Sequence, residues 1–260
     1  MNLPEEVLSL DLEESDLLYR IRKGRRIVYV QIFSPAIIPR EDRTESSAIL
    51  GHLRSLSGWE GDWQTMTVTG LPEGPAYHFN SFPPHRLAPV DLKIDSKQWW
   101  ELNEIKTEDR ISGSVSKVSC AGKCLVMKIA TFEHEVNYLR QELQGYYSLQ
   151  LKGFTAIPTF YGYVYEEDRS RVIGFLMEYL CGRPAGPADY EECRELLQGI
   201  HRIGFIHGDI NRYNWLKTAN GMSVIDLETM CSKDDAAVSP EQKLSDLKKS
   251  LSDTSGVGAR

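Results

Sequence analysis

The segment His207-Gly208-Asp209-Ile210-Asn211-Arg212-Tyr213-Asn214, with Val224-Ile225-Asp226 after it, holds the side-chain types that phosphoryl transfer uses. An aspartate is followed five residues on by an asparagine, and twelve residues later by a second aspartate behind apolar neighbours. One carboxylate can orient or deprotonate an attacking hydroxyl. The amide oxygen and the second carboxylate can hold a magnesium ion that bridges phosphates. Both are hard oxygen donors, as magnesium requires. Upstream, Lys128 lies in the apolar strand pattern Val126-Met127-Lys128-Ile129-Ala130. A lysine pointing inward from such a strand is costly unless it meets negative charge, so a phosphate and a helix glutamate are its natural partners. Each position also has a plainer reading: Asp209 and Asn214 suit ordinary turns, and Asp226 suits a strand end. The chemical reading rests on four positions agreeing in order and spacing.

The elements that must place these residues follow from pattern. Residues 99–130 read as three strands with turns at Ser112-Gly113 and Ala121-Gly122. A helix follows, with Val136, Leu139, Leu143, Tyr146 and Tyr147 near one face. Ile157-Pro158 opens a further strand region, and RVIGFLMEYL is a run suited to a strand buried on both faces. ADYEECRELLQGIHRIGF predicts an amphipathic helix through Leu196, Leu197 and Ile200; HGDINRYNWL reads as a loop and GMSVIDLE as a short strand. A closing helix carries Leu244, Leu247 and Leu251 on one side. In the first third, residues 13–33 read as a short helix leading into a hairpin around Lys23-Gly24. One helix is expected near Ser47–Leu53, and one strand in WQTMTVTGL.

Bulk properties exclude several classes. A net charge of -7 over 260 residues argues against a general nucleic-acid binder. No apolar run is long enough to span a bilayer, and the acidic N-terminal stretch lacks the features of a signal peptide, so a cytoplasmic chain is expected. The five cysteines form no CxxC pair and no zinc spacing, which predicts reduced thiols.

With these residues in view, the chain resembles the protein-kinase-like superfamily, whose catalytic loop reads HxDxxxxN and whose next aspartate holds metal. HGD and IDLE, in place of HRD and DFG, resemble the aminoglycoside phosphotransferase, choline kinase and lipopolysaccharide-kinase branches. KIA, FEHEV, RVIGFLMEYLCGRPA and HGDINRYNWL are similar to stretches of fungal protein-kinase-domain proteins, over roughly residues 100–230. The resemblance implies an α+β, two-lobed fold: a mostly antiparallel N-lobe sheet in residues 99–180 and a minimal, truncated helical C-lobe in 181–232. A C-terminal helix and tail would fill 233–260, and residues 1–98 would form a region of strands and loops with no assigned role. It further implies ATP and Mg2+ as cofactors, with a hydroxyl acceptor left unspecified. Asp209 would be the catalytic carboxylate, Asn214 and Asp226 the metal ligands, and Lys128 the phosphate contact. His207 would brace the loop through backbone contacts, and Met177, Glu178, Tyr179 and Leu180 would form the hinge that meets adenine. Among Glu133, Glu135 and Glu142, the family spacing favours Glu142 as the partner of Lys128, with Glu135 next. Gly113, alone between Ser112 and Ser114, is either a weak phosphate-binding turn or an ordinary hairpin turn. The functions implied are an ATP-dependent phosphotransferase or, given the poor glycine loop and the few residues after Asp226, a pseudokinase that binds nucleotide with little turnover.

Overall fold

Alternating apolar residues set the architecture of the first part of the chain. The computed structural model describes residues 4–71, 74–88, 98–256 and 258. It is a mixed α+β fold that divides into two compact units, Met1–His85 with Glu166–Asp168, and Arg86–Tyr165 with Arg169–Arg260. The first unit contains β1 (Glu6–Leu12), β2 (Leu17–Lys23), β3 (Arg26–Ile32), α1 (Ser46–Arg54), β4 (Thr65–Leu71) and β5 (Gly74–Phe79). Its strands form one five-stranded sheet in sequence order. Leu17, Tyr19 and Ile21 alternate into its core, where Ile49, Leu50 and Leu53 of α1 join them. The helix expected after residue 13 does not form. β1 and β2 pair antiparallel instead, joined by a tight turn in which Glu13 N–H donates to Asp16 O at 2.9 Å. Two alternating runs satisfy each other's backbone groups there, and that pairing outweighs a local helical tendency. The expected β2–β3 hairpin is present, closed at Gly24 in the left-handed region.

The second unit carries all of the candidate chemistry. In chain order it has β6 (Trp99–Glu101), β7 (Lys106–Arg110), β8 (Val115–Cys120), β9 (Lys123–Ile129), α2 (Glu133–Leu151), β10 (Phe160–Tyr165) and β11 (Val172–Glu178). These are followed by β12 (Gly182–Pro184), α3 (Tyr190–Arg202), β13 (Phe205–Ile206), β14 (Trp215–Thr218), β15 (Gly221–Val224), β16 (Cys231–Ser232) and α4 (Pro240–Leu251). The stretch read as three strands holds a fourth, β6, which pairs parallel with β10 at the sheet edge. The six-stranded sheet runs β6-β10-β11-β9-β8-β7. β11 sits inside it and is buried on both faces. Val172, Phe175 and Met177 enter the core shared with α2 and α3, while Ile173 and Leu176 enter a second core with Val118, Leu125 and Met127. Gly174 interrupts that run for a steric reason: a Cβ there would collide with the Lys128 carbonyl and lie 2.8 Å from Ile129 Cα. The glycine lets β11 close on β9 at the register where Phe175 faces Lys128.

α2 buries Val136, Leu139, Glu142, Leu143, Tyr146 and Leu149, a stripe at helical spacing that includes one carboxylate and one phenol. α3 buries Cys193, Leu197 and Ile200, and α4 contributes Leu247 and Leu251 to the same core. The β14–β15 hairpin pairs Trp215 with Val224, and Ile225 N–H donates to Asn214 O at 2.9 Å. That register sets Asn214 beside the chain that leads into Asp226. All five cysteines are free thiols. Among the described residues, no helix is long and apolar enough to cross a membrane.

Candidate functional site

The site begins at Lys128, near the end of β9. Its ammonium is 2.5 Å from Glu142 Oε1 of α2 and 3.5 Å from Asp226 Oδ1, which follows β15. All three side chains are nearly inaccessible: Lys128 is 8% exposed, Glu142 1% and Asp226 3%. Lys128 thus lies between two buried carboxylates. Asp226 is also one of few non-glycine residues in the left-handed region, with φ of 62°. Such a conformation persists only where the surroundings over-determine it, and it is common at functional sites.

The segment from His207 to Asn214 lies next to this cluster. Asp209 is exposed, and both of its carboxylate oxygens are engaged. Asn211 N–H donates to Oδ1 at 3.0 Å, and Asn214 Nδ2 donates to Oδ2 at 3.0 Å and to the Asp209 carbonyl at 3.2 Å. Because a carboxylate only accepts, these bonds identify the amide end that faces it. Asn214 Oδ1 therefore points elsewhere and makes no hydrogen bond among the described residues. His207, fully buried, donates from Nε2 to the Ile225 carbonyl at 3.2 Å and ties the loop to the residue before Asp226. Burial lowers its pKa below the usual imidazole value, so the ring is neutral at neutral pH. It braces rather than shuttles protons.

A cavity of about 450 Å³ opens beside these groups. Lys128, Tyr146, Asn214 and Ile225 form one side, and Val115, Val126, Met177 and Leu216 supply apolar walls. Glu178, Tyr179 and Leu180 complete its edge. The peptide groups of Tyr179 and Leu180, between β11 and β12, form no backbone hydrogen bond among the described residues. Unpaired peptide groups at the edge of a cavity of this size are a ready binding edge for a planar, hydrogen-bonding ring. Glu178 turns its carboxylate to Thr159, accepting from the backbone N–H at 3.1 Å and from Oγ1 at 3.0 Å, and its own N–H donates to the Thr159 carbonyl at 2.8 Å.

Two sequence candidates are placed elsewhere. Glu135 accepts from the N–H groups of Thr131 at 2.6 Å and Phe132 at 3.1 Å, which makes it the N-terminal cap of α2 rather than a partner of Lys128. Gly113 lies exposed in the β7–β8 turn, its carbonyl taken by Arg110 at 2.9 Å. The cavity wall uses its neighbours Arg110, Ile111 and Val115 instead. Lys123 is exposed, with its ammonium 4.5 Å from the Tyr161 ring.

Sequence reasoning took Tyr146 for an apolar core residue. Its hydroxyl accepts from Asp226 N–H at 3.3 Å, and Glu142 lies one helical turn away on α2. Burial, with Glu142 and Asp226 nearby, raises its pKa well above the usual phenol value and keeps the proton on oxygen. Tyr146 therefore ties α2, one turn on from the glutamate that holds Lys128, to the backbone of Asp226. A polar tip in a buried stripe four residues after Glu142 is the signal that would have found it. Tyr146→Phe removes the hydroxyl to which Asp226 N–H donates, with an expected stability loss of about 0.5–1.5 kcal/mol in urea unfolding. A loss within error of zero would remove Tyr146 from this role. Two α4 contacts were also beyond sequence reading: Lys243 Nζ donates to the Gly208 carbonyl, and Ser250 Oγ donates to the Ile210 carbonyl at 2.7 Å.

Among the described residues, no group of three or more His, Cys, Asp or Glu side chains is placed to hold a metal ion. No protein-family model matches the chain, and no curated protein matches it.

Proposed function

We propose that the second unit is a protein-kinase-like domain acting as an ATP- and magnesium-dependent phosphotransferase toward a hydroxyl group of a small molecule or protein. The observation that carries this reading is the buried Lys128–Glu142–Asp226 cluster together with Asn214, which holds the exposed Asp209, with Lys128 and Asn214 lining a nucleotide-sized cavity. In this reading the β6–β11 sheet and α2 are the smaller lobe. The segment from β12 through α4 is a minimal helical lobe, and residues 177–180 are the hinge.

The roles follow from chemistry already described. Asn214 and Asp226 would hold magnesium, which would supply neutralisation of phosphate charge. Lys128, kept extended by Glu142, presents its ammonium to the phosphates, while Met177 and the backbone of Tyr179 and Leu180 receive the base. Asp209, oriented by Asn211 N–H and Asn214 Nδ2, accepts the proton of the acceptor hydroxyl at its carboxylate. The burial of Lys128 and Asp226 keeps water from screening these interactions.

A second reading, a pseudokinase that binds nucleotide with little turnover, is favoured by one feature. The β7–β8 turn has a single glycine, exposed and outside the cavity wall, so it offers a thin cradle for phosphates. Thermal unfolding with and without Mg-ATP tests both readings. At a ligand concentration 100 times Kd, the wild type gains about 2.7 kcal/mol, and Asp226→Asn gains little. No shift at saturating Mg-ATP would overturn nucleotide binding altogether. A shift without any ADP release would give precedence to the pseudokinase.

A further inference from the structure

Beyond α4, the chain turns back over the catalytic loop. Arg212 Nη1 donates to the Asp253 carbonyl at 3.2 Å, and Ser250 Oγ to the Ile210 carbonyl at 2.7 Å, so residues 250–253 are fastened to residues 210–212. Asp253 is braced in turn, because Ser255 N–H donates to its Oδ1 at 2.8 Å. Gly256 takes the left-handed conformation at φ of 78° and turns the chain; Gly258 does the same at φ of 84°. Gly258 then forms part of the wall of the cavity that Lys128, Tyr213 and Asn214 also line. The fit at that point is close: a Cβ on Gly258 would collide with the Asn211 amide and lie 2.6 Å from Asn211 Cγ. Asn211 is the residue whose N–H orients Asp209.

Resting on the phosphotransfer reading of this site, we propose that the face of residues 208–212 is a docking surface for an extended, small-residue peptide. Asp253 and Gly258, beyond α4, occupy it in cis, and Gly258 narrows the cavity beside Asn214 while Asp209 stays exposed. Three features favour a peptide occupant. The surface offers a guanidinium and an amide, groups that bind backbone carbonyls. The occupant approaches through glycine, where only a bare backbone fits. Tethering directly after α4 gives the segment a high effective concentration, so a few hydrogen bonds suffice to keep it in place. A nucleotide that fills the cavity must push Gly258 back from its wall, and the site is accordingly self-restrained.

The test uses the full chain and two variants outside the catalytic loop. Gly256→Pro cannot adopt the positive φ, because the proline ring locks φ near −65°; Gly258→Val cannot approach Asn211. Hydrogen exchange without nucleotide is read over residues 208–214, and the association rate of a fluorescent ATP analogue with magnesium is read separately. Both variants are expected to exchange several-fold faster across 208–214 and to take up the analogue several-fold faster. Unchanged exchange in both variants overturns the docking surface. Faster exchange with an unchanged association rate overturns the self-restraint and leaves the docking contact. Faster exchange in a protein that binds no analogue upholds the docking surface and brings down the phosphotransfer reading instead.

Discussion

Asp209→Asn is expected to cut turnover by about 10²- to 10⁴-fold, the usual contribution of a positioned general base, while Mg-ATP affinity changes little. Asparagine matches aspartate in size, so Asn211 N–H can still find the carbonyl oxygen of the new amide. The other end then presents an NH₂ to Asn214 Nδ2, and donor meets donor where an acceptor stood. More directly, an amide cannot take the proton of an acceptor hydroxyl. Because Asp209 is exposed, the substitution leaves little buried polar surface unpaired and unfolding stability should hold within about 1 kcal/mol. The two effects are separable by calorimetric titration of Mg-ATP and single-turnover release of ADP. Equal ADP release from wild type and Asp209→Asn would remove Asp209 from the chemistry.

Lys128→Met should destabilise the second unit by about 3–5 kcal/mol, the cost of breaking a buried ion pair from one side. Methionine fills much of the same volume, so the loss comes from charge rather than a cavity. Glu142 and Asp226 would remain in low dielectric without the ammonium that lies 2.5 and 3.5 Å from them. A surface pair would cost less than 1 kcal/mol, so the size of the loss distinguishes a buried cluster from a decorative one. Lys128→Met/Glu142→Gln should recover a large part of the stability, since it removes one of the stranded charges. Urea unfolding of the two single variants and the double variant gives the coupling energy directly. A Lys128→Met protein as stable as wild type would show that the cluster is not a buried ionic network.

The sequence determined local matters. The period-two runs at 17–23 and 26–32, the run at 172–178, and the helical stripe from Val136 to Leu149 are legible because side-chain direction repeats with each element's own geometry. The mixed α+β character follows from those repeats. The spacing from Asp209 to Asn214 is local as well, since one short turn brings the amide back to the carboxylate. The expectation of a helix after residue 13 failed where a strand partner was available to Glu6–Leu12, a fact that no window of sequence contains.

Only the tertiary structure decided which glutamate meets Lys128. Glu135 and Glu142 are both on α2, but the first lies in the opening turn, where the free N–H groups of Thr131 and Phe132 claim it. The second lies a further two turns along, on the face that packs beneath β9. The same holds for Tyr146 against Asp226, for α4 against Gly208 and Ile210, and for Gly258 against Asn211. Each joins residues far apart in the chain, and its existence depends on how helices and sheet close over a shared core. Composition and spacing name the groups capable of chemistry; packing chooses which of them touch, because a hydrogen bond or ion pair is settled by a few tenths of an ångström that only the assembled core supplies.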